Sequence, residues 1–515
     1  MTRRKLPIGI QTFREIREEG HYYVDKTGFA LRLIEEGKYY FLSRPRRFGK
    51  SLFLDTLAEL FAGNEPLFQG LEAHGRWDWG RRYPVIRLGF GGGVLRDRAE
   101  LDDKIGELLA EAERQLGVAG DAPTLSGRLA QIIRLAHERH GERTVVLVDE
   151  YYKPILDNLA RPEAARDIRD GLRNLYSVIK DSDAHLRFGF LTGVSKFSKV
   201  SLFSGLNNLI DITVDAKYSA ICGYTEADLD TIFAPELQGL DRDEIRHWYN
   251  GYNWTGEAVY NPFDLLLLFQ RRQFRAWWFE TAMPTFLVDL LLERRVFLPR
   301  LGQLRSDAAL LSSFDVGQIA VEALLFQTGY LTIDSEEQRF GEYWYRLRYP
   351  NHEVYQSLNS SLLKAWTANG QDMLGNKQRL GDLLLANDFA GLEELFTAFF
   401  ASIPNDWYRN NPIASYEGYY ASVFYAYFAS LGLDLTPEET SNAGRLDMAL
   451  RFNGQVYLFE FKVVELAPEG RALAQLKDKG YAERYRADGG PIHLIGVEFS
   501  RERRSVVGFA VETLG

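Results

Sequence analysis

The chain has 515 residues, of which 46% are hydrophobic and 26% are charged, and its formal net charge is −10. This composition is typical of a folded protein with several cores, and it excludes both global disorder and a uniformly basic nucleic-acid coat. The single cysteine excludes a disulfide framework and a cysteine-based zinc site, and it fits the reducing cytoplasm, where we expect the protein to act. The N-terminus lacks the apolar region of a secretion signal, and no apolar run reaches the roughly 18 residues of a membrane helix, so we expect no membrane partner.

The first part of the chain alternates between strand and helix patterns. Leu52–Phe61 and Leu101–Leu116 have the apolar spacing of helices. Alternation of this kind predicts an α/β domain with a parallel sheet covered on both faces, and we assign it to residues 1–215. The predicted strands are Tyr39–Leu42, Tyr83–Phe90, Thr144–Val148, Leu186–Leu191 and, more weakly, Ile210–Val214.

Two further regions follow. Residues 216–380 are mostly helical in pattern and rich in aromatic side chains, with Leu265–Phe269 as a core-facing helix segment. From residue 381 to 515 we predict a separate α/β domain. Its predicted elements are helices near Leu383–Ala401 and Gly418–Leu431, a hairpin over Arg445–Val464, a helix at Ala472–Tyr485 and a strand at Ile492–Phe499.

The segment 44–51 has the setting of a phosphate-binding loop, since it follows a predicted strand and precedes a predicted helix. Backbone N–H groups at the start of such a helix, after Gly49, would face phosphate oxygens. Lys50 would supply a point charge for the β- and γ-phosphates, and Ser51 would hold Mg²⁺. The segment therefore predicts an ATP site.

Three arginines belong to the same loop. Arg44 stands where the usual G-x-x-x-x-G-K-[ST] pattern has its first glycine, and Arg46 and Arg47 follow it. A solvated loop, or an arginine that acts in a neighbouring subunit, is an alternative. We favour contacts with nucleotide phosphates, because the cluster lies inside the loop.

Two acids follow the predicted strand Thr144–Val148. Ligands bind at the carboxyl ends of parallel strands, so Asp149 and Glu150 are expected at the nucleotide site. Asp149 would bind Mg²⁺ directly or through water, and Glu150 would polarise the attacking water. Hydroxyl groups within Thr192–Ser195 would sense the γ-phosphate.

The third region contains a charged hairpin. Two strand patterns flank Asn453 and Gly454, the pair that most strongly favours a two-residue type I′ turn. In the register that this turn sets, Asp447 lies directly opposite Glu460. Lys462 is two residues further along and points to the same face.

Adjacent carboxylates repel each other, and a divalent cation between them removes the repulsion. Mg²⁺ prefers oxygen ligands and suits phosphodiester chemistry, and Lys462 would orient the attacking water or stabilise the developing charge. Gln475 and Tyr481 on the next helix are expected to face the site, and Glu417 would add a carboxylate. A solvated, alternating sheet face is the alternative interpretation.

The order of these motifs resembles a bacterial and archaeal family in which an AAA-ATPase-like domain is fused to a C-terminal PD-(D/E)XK nuclease-superfamily domain. The resemblance spans nearly the whole chain and implies a P-loop ATPase domain and a restriction-endonuclease-like domain. An arginine-rich loop is usual in the family at segment 44–51. The matching blocks are Leu6–Ile10, Tyr23–Thr27, Arg44–Ser51, Leu147–Ile155, Ser204–Asn208, Trp248–Tyr252, Tyr260–Phe263, Tyr416–Tyr420, Gly444–Asp447 and Phe459–Lys462.

The resemblance also implies roles for single residues. It places metal-binding acids at Asp447 and Glu460 and a catalytic lysine at Lys462, with Glu417 and Gln475 as accessory residues. It places the nucleotide site at Lys50, Ser51 and Asp149.

We therefore expect an ATP-binding, Mg²⁺-dependent nuclease in which ATP gates phosphodiester hydrolysis. Its partners would be ATP and nucleic acid, with DNA favoured over RNA, and a homo-oligomer is left open. The alternative is a nucleotide-dependent switch or scaffold whose nuclease fold binds nucleic acid without cutting it.

Overall fold

The structure is a computed structural model, which we describe for most of the chain. The described residues are 3–159, 161–194, 208–282, 287–288, 290–291, 294, 296–308, 311, 320–366, 370–402, 417–441, 444–503 and 505–515.

The described part of the chain contains both helices and strands. The helices are α1 (Phe13–Glu18), α2 (Thr27–Glu36), α3 (Lys50–Phe61), α4 (Arg98–Leu116), α5 (Leu125–His140), α6 (Lys153–Leu156), α7 (Pro162–Asp181), α8 (Glu226–Thr231), α9 (Arg242–Tyr249), α10 (Pro262–Arg271), α11 (Trp277–Ala282), α12 (Val321–Thr328), α13 (His352–Trp366), α14 (Gly370–Ala386), α15 (Phe389–Ser402), α16 (Glu417–Ser430) and α17 (Arg471–Asp478). The strands are β1 (Tyr39–Ser43), β2 (Val85–Gly89), β3 (Thr144–Asp149), β4 (Leu186–Gly193), β5 (Ile210–Asp211), β6 (Arg305–Asp307), β7 (Thr332–Arg339), β8 (Glu342–Arg348), β9 (Asp434–Ser441), β10 (Gly444–Phe452), β11 (Gln455–Val464), β12 (Ile492–Ser500) and β13 (Val506–Leu514). None of the described helices combines the length and the apolar character that a bilayer-spanning segment needs.

The chain forms two compact units. The first contains residues 1–278 and 305–351, and the second contains residues 279–304 and 352–515. The region that we predicted as a separate middle domain, 216–380, is thus shared between the two units. The division into three domains stays a prediction.

The first unit is built on a five-stranded sheet with the order β2-β3-β4-β1-β5. All of its recorded strand pairs are parallel, so the carboxyl ends of its strands lie at one edge. Residues Val145–Val148 are fully buried, as expected of a central parallel strand. The predicted α/β class is confirmed, and all five predicted strands are present, but β5 ends at Asp211 and not at Val214.

Beyond β5, the chain is largely helical, as predicted, and α10 buries Leu265, Leu268 and Phe269. It also contains a three-stranded antiparallel sheet with the order β6-β8-β7, which the sequence analysis did not predict. Residues 334–344 of its hairpin are exposed, so this arm shows no alternation of apolar and polar residues in the sequence.

The second unit contains a mixed five-stranded sheet with the order β13-β12-β11-β10-β9. Strands β10 and β11 form the predicted hairpin, in which Phe452 pairs with Gln455. Asn453 and Gly454 both have positive φ angles, 50° and 71°, as a type I′ turn requires. The predicted turn and register are therefore confirmed.

The core face of this sheet packs against α16. The ring of Tyr420 stacks on Phe499 with a centroid separation of 3.9 Å, and the ring of Phe424 lies 5.1 Å from that of Phe461. The opposite face of β11 carries Glu460 and Lys462 together with Val456 and Leu458, and these two apolar residues form a second core with Leu476 of α17.

Two predicted helices have different bounds in the structure. The predicted helix at Leu383–Ala401 is wrong, because Asn387 adopts a left-handed backbone conformation and separates α14 from α15. The predicted helix at Ala472–Tyr485 ends at Asp478 and is followed by a 3₁₀ helix, Tyr481–Asp488. Gly480, with a φ of 61°, lies between them.

Helix α17 lies directly on β12 at Gly496, which pairs with Glu460. A Cβ atom at this position would collide with the backbone of Ala472 and Leu473, at 2.8 Å from the Cα atom of Leu473. Only a residue without a side chain allows this close approach.

We predict that Gly496→Ala destabilises the protein by about 1–3 kcal/mol, since the helix backbone has to move to accept the methyl group. Urea unfolding measures the change. Gly381→Ala in α14 is the control, because a Cβ there meets nothing within 4 Å. A Gly496→Ala variant as stable as the wild type would contradict the close approach.

Candidate functional site

The phosphate-binding loop joins β1 to α3. Gly49 precedes the first residue of α3 and has a φ of 93°, a left-handed conformation that suits glycine. Arg47 also has a positive φ, 69°. These two conformations turn the chain sharply and direct it into α3. The backbone N–H groups of the first turn of α3 are then free of intrahelical partners and can bind an anion.

Lys50 and Ser51 link this loop to the acids after β3. The buried Lys50 donates from Nζ to the carbonyl of Pro45 at 3.1 Å and lies 3.7 Å from Oε1 of Glu150. Ser51 donates from its hydroxyl to Oδ2 of Asp149 at 2.6 Å. The four residues predicted at the nucleotide site therefore lie together at the carboxyl edge of the sheet.

Glu150 occupies an unusual position in this group. Its φ is 51°, and its backbone N–H donates to Oδ1 of Asp149 at 3.0 Å. Burial raises the pKa of Glu150 above its ordinary value, although Lys50 opposes the shift.

The three arginines of the loop have different environments. Arg46 and Arg47 are exposed, and the guanidinium of Arg47 lies over the ring of Phe263 at 4.8 Å. Both stay candidates for phosphate contacts. Arg44 is fully buried, and burial lowers its pKa to about 10.

The interpretation of Arg44 as a phosphate ligand is wrong. Its Nη1 atom donates to the carbonyls of Ser43 and Thr213, each at 2.9 Å, and Nη2 donates to that of Tyr218 at 2.9 Å. Its guanidinium lies 3.9 Å from the ring centroid of Trp254. The side chain thus anchors the loop to the following segments, and its direction depends on residues about 170 positions away.

Two buried aromatic residues from the region beyond β5 contact this loop. Trp254 packs edge-on against Phe48, and the indole N–H of Trp278 donates to the carbonyl of Arg46 at 3.0 Å. Trp254 and Trp278 are 3% and 1% exposed, so both rings belong to the core. Their contact with the loop was not predicted, because nothing local in the sequence links positions so far apart.

Of the two hydroxyl groups predicted near the γ-phosphate, the structure describes only that of Thr192, which has a different partner. Thr192 is fully buried and donates its hydroxyl to the carbonyl of Leu42 at 3.0 Å. Ser195 lies outside the described residues.

The charged hairpin brings its two acids together. Met448 pairs with Phe459 in the ladder, and Asp447 and Glu460 are the next residues along the two strands. Oδ2 of Asp447 accepts the backbone N–H of Phe461 at 2.9 Å. The carboxylate of Asp447 therefore lies across the ladder, beside the strand that carries Glu460.

Glu460 is the most constrained residue of this group. Only 1% of its surface is exposed, and its Oε1 atom accepts hydrogen bonds from Nζ of Lys462 at 3.1 Å and from the amide of Gln475. Burial and then the charge of Asp447 raise the pKa of Glu460 to about 7, although Lys462 opposes the shift.

The second carboxylate oxygen of Glu460 supports a cation site. Oε2 is buried, and no hydrogen-bond partner is recorded for it among the described residues. A buried anionic oxygen without a partner is costly, and a cation would compensate it. Within the described part of the chain, no cluster of three or more His, Cys, Asp or Glu residues could hold a metal. Asp447 and Glu460 nevertheless fit Mg²⁺, which binds through one or two carboxylates and keeps several waters.

The predictions for the accessory residues compare differently with the structure. Gln475 contacts Glu460, as the sequence analysis expected. The phenol of Tyr481 is influenced by the same site, since burial and then the charge of Glu460 raise the pKa of Tyr481. For Glu417 the structure describes only the backbone, at the start of α16, so its contribution stays a prediction.

Comparisons with known proteins identify two domains in the chain. Residues 7–203 match the family model AAA-ATPase-like, described as "Predicted AAA-ATPase", and residues 415–509 match the model of the PD-(D/E)XK nuclease superfamily. The chain belongs to the AAA-ATPase-like proteins with a PD-(D/E)XK nuclease-superfamily domain. It is also 69% identical, over 516 residues and 100% of both chains, to "Uncharacterized protein in vnfD 5'region" of Azotobacter chroococcum mcd 1. These two domains support an ATPase and nuclease type of function and suggest a hydrolase.

The two matches divide the candidate residues between them. Lys50 and Glu150 lie within the AAA-ATPase-like match, and Asp447 and Glu460 lie within the nuclease-superfamily match. Domains of these kinds generally use a nucleotide and a divalent metal.

We predict that cation binding to the nuclease-superfamily domain strengthens as the pH rises to about 7, since Glu460 has to lose its proton before it can bind a metal. Without metal, the same shift makes the folded state less stable as the pH rises from 4.5 to about 7, because folded Glu460 retains a proton that the unfolded chain releases. Calorimetric titration with Mn²⁺ across this range, with Asp447→Asn as the control that removes the site, measures the first effect. Affinity that does not change over this range would contradict the assignment.

Proposed function

We propose that the protein is a Mg²⁺-dependent nuclease that hydrolyses phosphodiester bonds of nucleic acid and is gated by ATP. The observation that carries the nuclease part is the buried, unpartnered Oε2 atom of Glu460 next to the carboxylate of Asp447. Such a pair is unfavourable in an empty site and favourable when a divalent cation is bound. The nuclease-superfamily match supports the same proposal.

Each residue of the hairpin has a role in the proposed reaction. Asp447 and Glu460 would hold Mg²⁺, which supplies Lewis acidity to the scissile phosphate and to the attacking water. Lys462 has its ammonium group 3.1 Å from Oε1 of Glu460, and from there it would stabilise the negative charge that develops on the phosphate. Gln475 orients the Glu460 carboxylate through its amide.

The AAA-ATPase-like part would bind ATP with Mg²⁺. Lys50 would exchange its contacts with Pro45 and Glu150 for the β- and γ-phosphate oxygens. Ser51 and Asp149, already joined by a hydrogen bond, would hold the cation. Glu150 would orient the attacking water once Lys50 has moved towards the phosphates.

The gating proposal rests on the presence of both sites in one chain. A nuclease that is always active endangers the cell, and a loop that changes its contacts with bound nucleotide is a two-state element. We propose DNA rather than RNA as the substrate, in a cytoplasmic setting, on the basis of the sequence analysis.

We predict that Asp447→Asn and Glu460→Gln each lower the nuclease rate by at least about 10²-fold, because each removes a proposed ligand of the cation. Cleavage of single- and double-stranded DNA and of RNA with Mg²⁺ measures the rate. Asp488→Asn is the matched control, since Asp488 pairs with Arg451 at 3.1 Å on the surface of the same domain. Cleavage retained in Asp447→Asn would remove the nuclease assignment and favour a scaffold that binds without cutting.

We predict that Lys50→Ala weakens ATP binding by about ten- to a hundredfold, which is the loss of charge-assisted hydrogen bonds worth about 1.5–3 kcal/mol. Its nuclease rate should no longer respond to ATP. Equilibrium binding of a fluorescent ATP analogue and cleavage with and without ATP measure the two effects, and Asp447→Asn should still bind ATP. A Lys50→Ala variant that responds to ATP as the wild type does would overturn the gating proposal.

A further inference from the structure

Glu498 is a buried carboxylate that the proposed chemistry does not use. It lies in β12, is 2% exposed and pairs in register with Lys462 of β11. Burial of a carboxylate is costly unless hydrogen bonds compensate the charge. The hydrogen bonds of Glu498 therefore show which part of the fold its carboxylate stabilises.

Both oxygens of Glu498 accept backbone N–H groups from the turn that begins α17. Oε2 accepts from Glu469 at 2.5 Å and from Gly470 at 3.0 Å, and Oε1 accepts from Ala472 at 3.2 Å. The first N–H groups of a helix have no partner within the helix, and the helix N-terminus favours negative charge. Burial raises the pKa of Glu498, but these hydrogen bonds outweigh it and lower the pKa below its ordinary value.

Helix α17 connects this contact to the carboxylate site. Gln475 lies about one turn after the first residue of α17 and donates to Oε1 of Glu460. Gly496, two residues before Glu498, allows the same helix to lie against β12. Strand β12 thus fixes the position of α17 at two neighbouring points.

The position of α17 affects the orientation of the Glu460 carboxylate. Its Oε1 atom is held by Gln475 and Lys462, and its Oε2 atom is left for a cation. If α17 moved away from β12, Gln475 would release Oε1 and the carboxylate could rotate. Residues that orient a metal ligand in this way affect metal affinity without touching the metal.

We propose that Glu498 is a positioning residue of the carboxylate site, which fixes the start of α17 so that Gln475 holds Glu460 in the orientation that binds the cation. This proposal rests on the proposed nuclease function. A helix cap with a purely structural role would stabilise the fold and leave metal affinity unchanged.

A double-mutant cycle on the full-length chain separates these two roles. The probe is Mn²⁺ alone, and its affinity is measured at one fixed pH by calorimetry for the wild type, Glu498→Gln, Gln475→Leu and the double variant. We expect each single variant to bind Mn²⁺ about tenfold more weakly, as is usual when an outer partner of a metal ligand is lost. The double variant should bind no more weakly than the weaker single variant, because both changes break the same connection.

Glu512→Gln is the matched control. Glu512 forms an exposed ion pair with Lys477 of the same helix at 2.8 Å, and such pairs contribute little. Its Mn²⁺ affinity should stay within about twofold of the wild type. Amide hydrogen exchange at residues 469–472 should accelerate in Glu498→Gln but not in this control.

The outcomes distinguish this proposal from the one it rests on. If the wild type does not bind Mn²⁺, the proposed nuclease function fails and the positioning role fails with it. If the wild type binds Mn²⁺ but Glu498→Gln binds it equally well, or if the two single effects add, the positioning role alone is overturned. Should Glu498→Gln not fold, Glu498→Asp replaces it, because the shorter side chain keeps the charge and cannot reach all three N–H groups. We then expect an intermediate loss of affinity.

Discussion

Two like charges held side by side are the constraint on which the nuclease-like part of the structure depends. The Asn453–Gly454 turn sets the register, and the register places the carboxylates of Asp447 and Glu460 next to each other. Burial of Glu460, and then the charge of Asp447, raise the pKa of Glu460 to about 7. Lys462 and Gln475 compensate one oxygen, and the other is left for a cation.

The candidate nucleotide site has a comparable arrangement. Asp149 and Glu150 lie at the end of a buried strand. The ammonium group of Lys50 and the hydroxyl of Ser51 come from the first two residues of a helix. In both sites a carboxylate with a raised pKa lies beside a lysine, Glu150 with Lys50 and Glu460 with Lys462. Ligand binding would change the contacts of the lysine in the first site and the charge of the carboxylate in the second.

The elements that the sequence predicted well are those that local rules determine. The hairpin register follows from the turn type and the two-residue period of a strand, so the juxtaposition of Asp447 and Glu460 could be predicted before the fold was known. The parallel sheet and the proximity of Lys50 to Asp149 follow from the order of strands and helices, because parallel strands end at one edge.

The residues that the sequence analysis missed depend on distant partners. Arg44 points into the core because the carbonyls of Thr213 and Tyr218 and the ring of Trp254 are there to receive it. Glu498 accepts hydrogen bonds from a turn about 28 residues earlier, and no local sequence pattern predicts these contacts. The hairpin at Thr332–Arg348 was missed because its exposed arm lacks an apolar face.

The central claim is that a divalent cation binds between Asp447 and Glu460. Crystals of the wild-type protein grown with Mn²⁺, measured at a wavelength where manganese scatters anomalously, locate the cation directly. The account predicts an anomalous peak within about 2.0–2.3 Å of a carboxylate oxygen of Asp447 and of Oε2 of Glu460. Anomalous peaks for manganese at other positions of the protein, with no peak at these two carboxylates, would contradict the account.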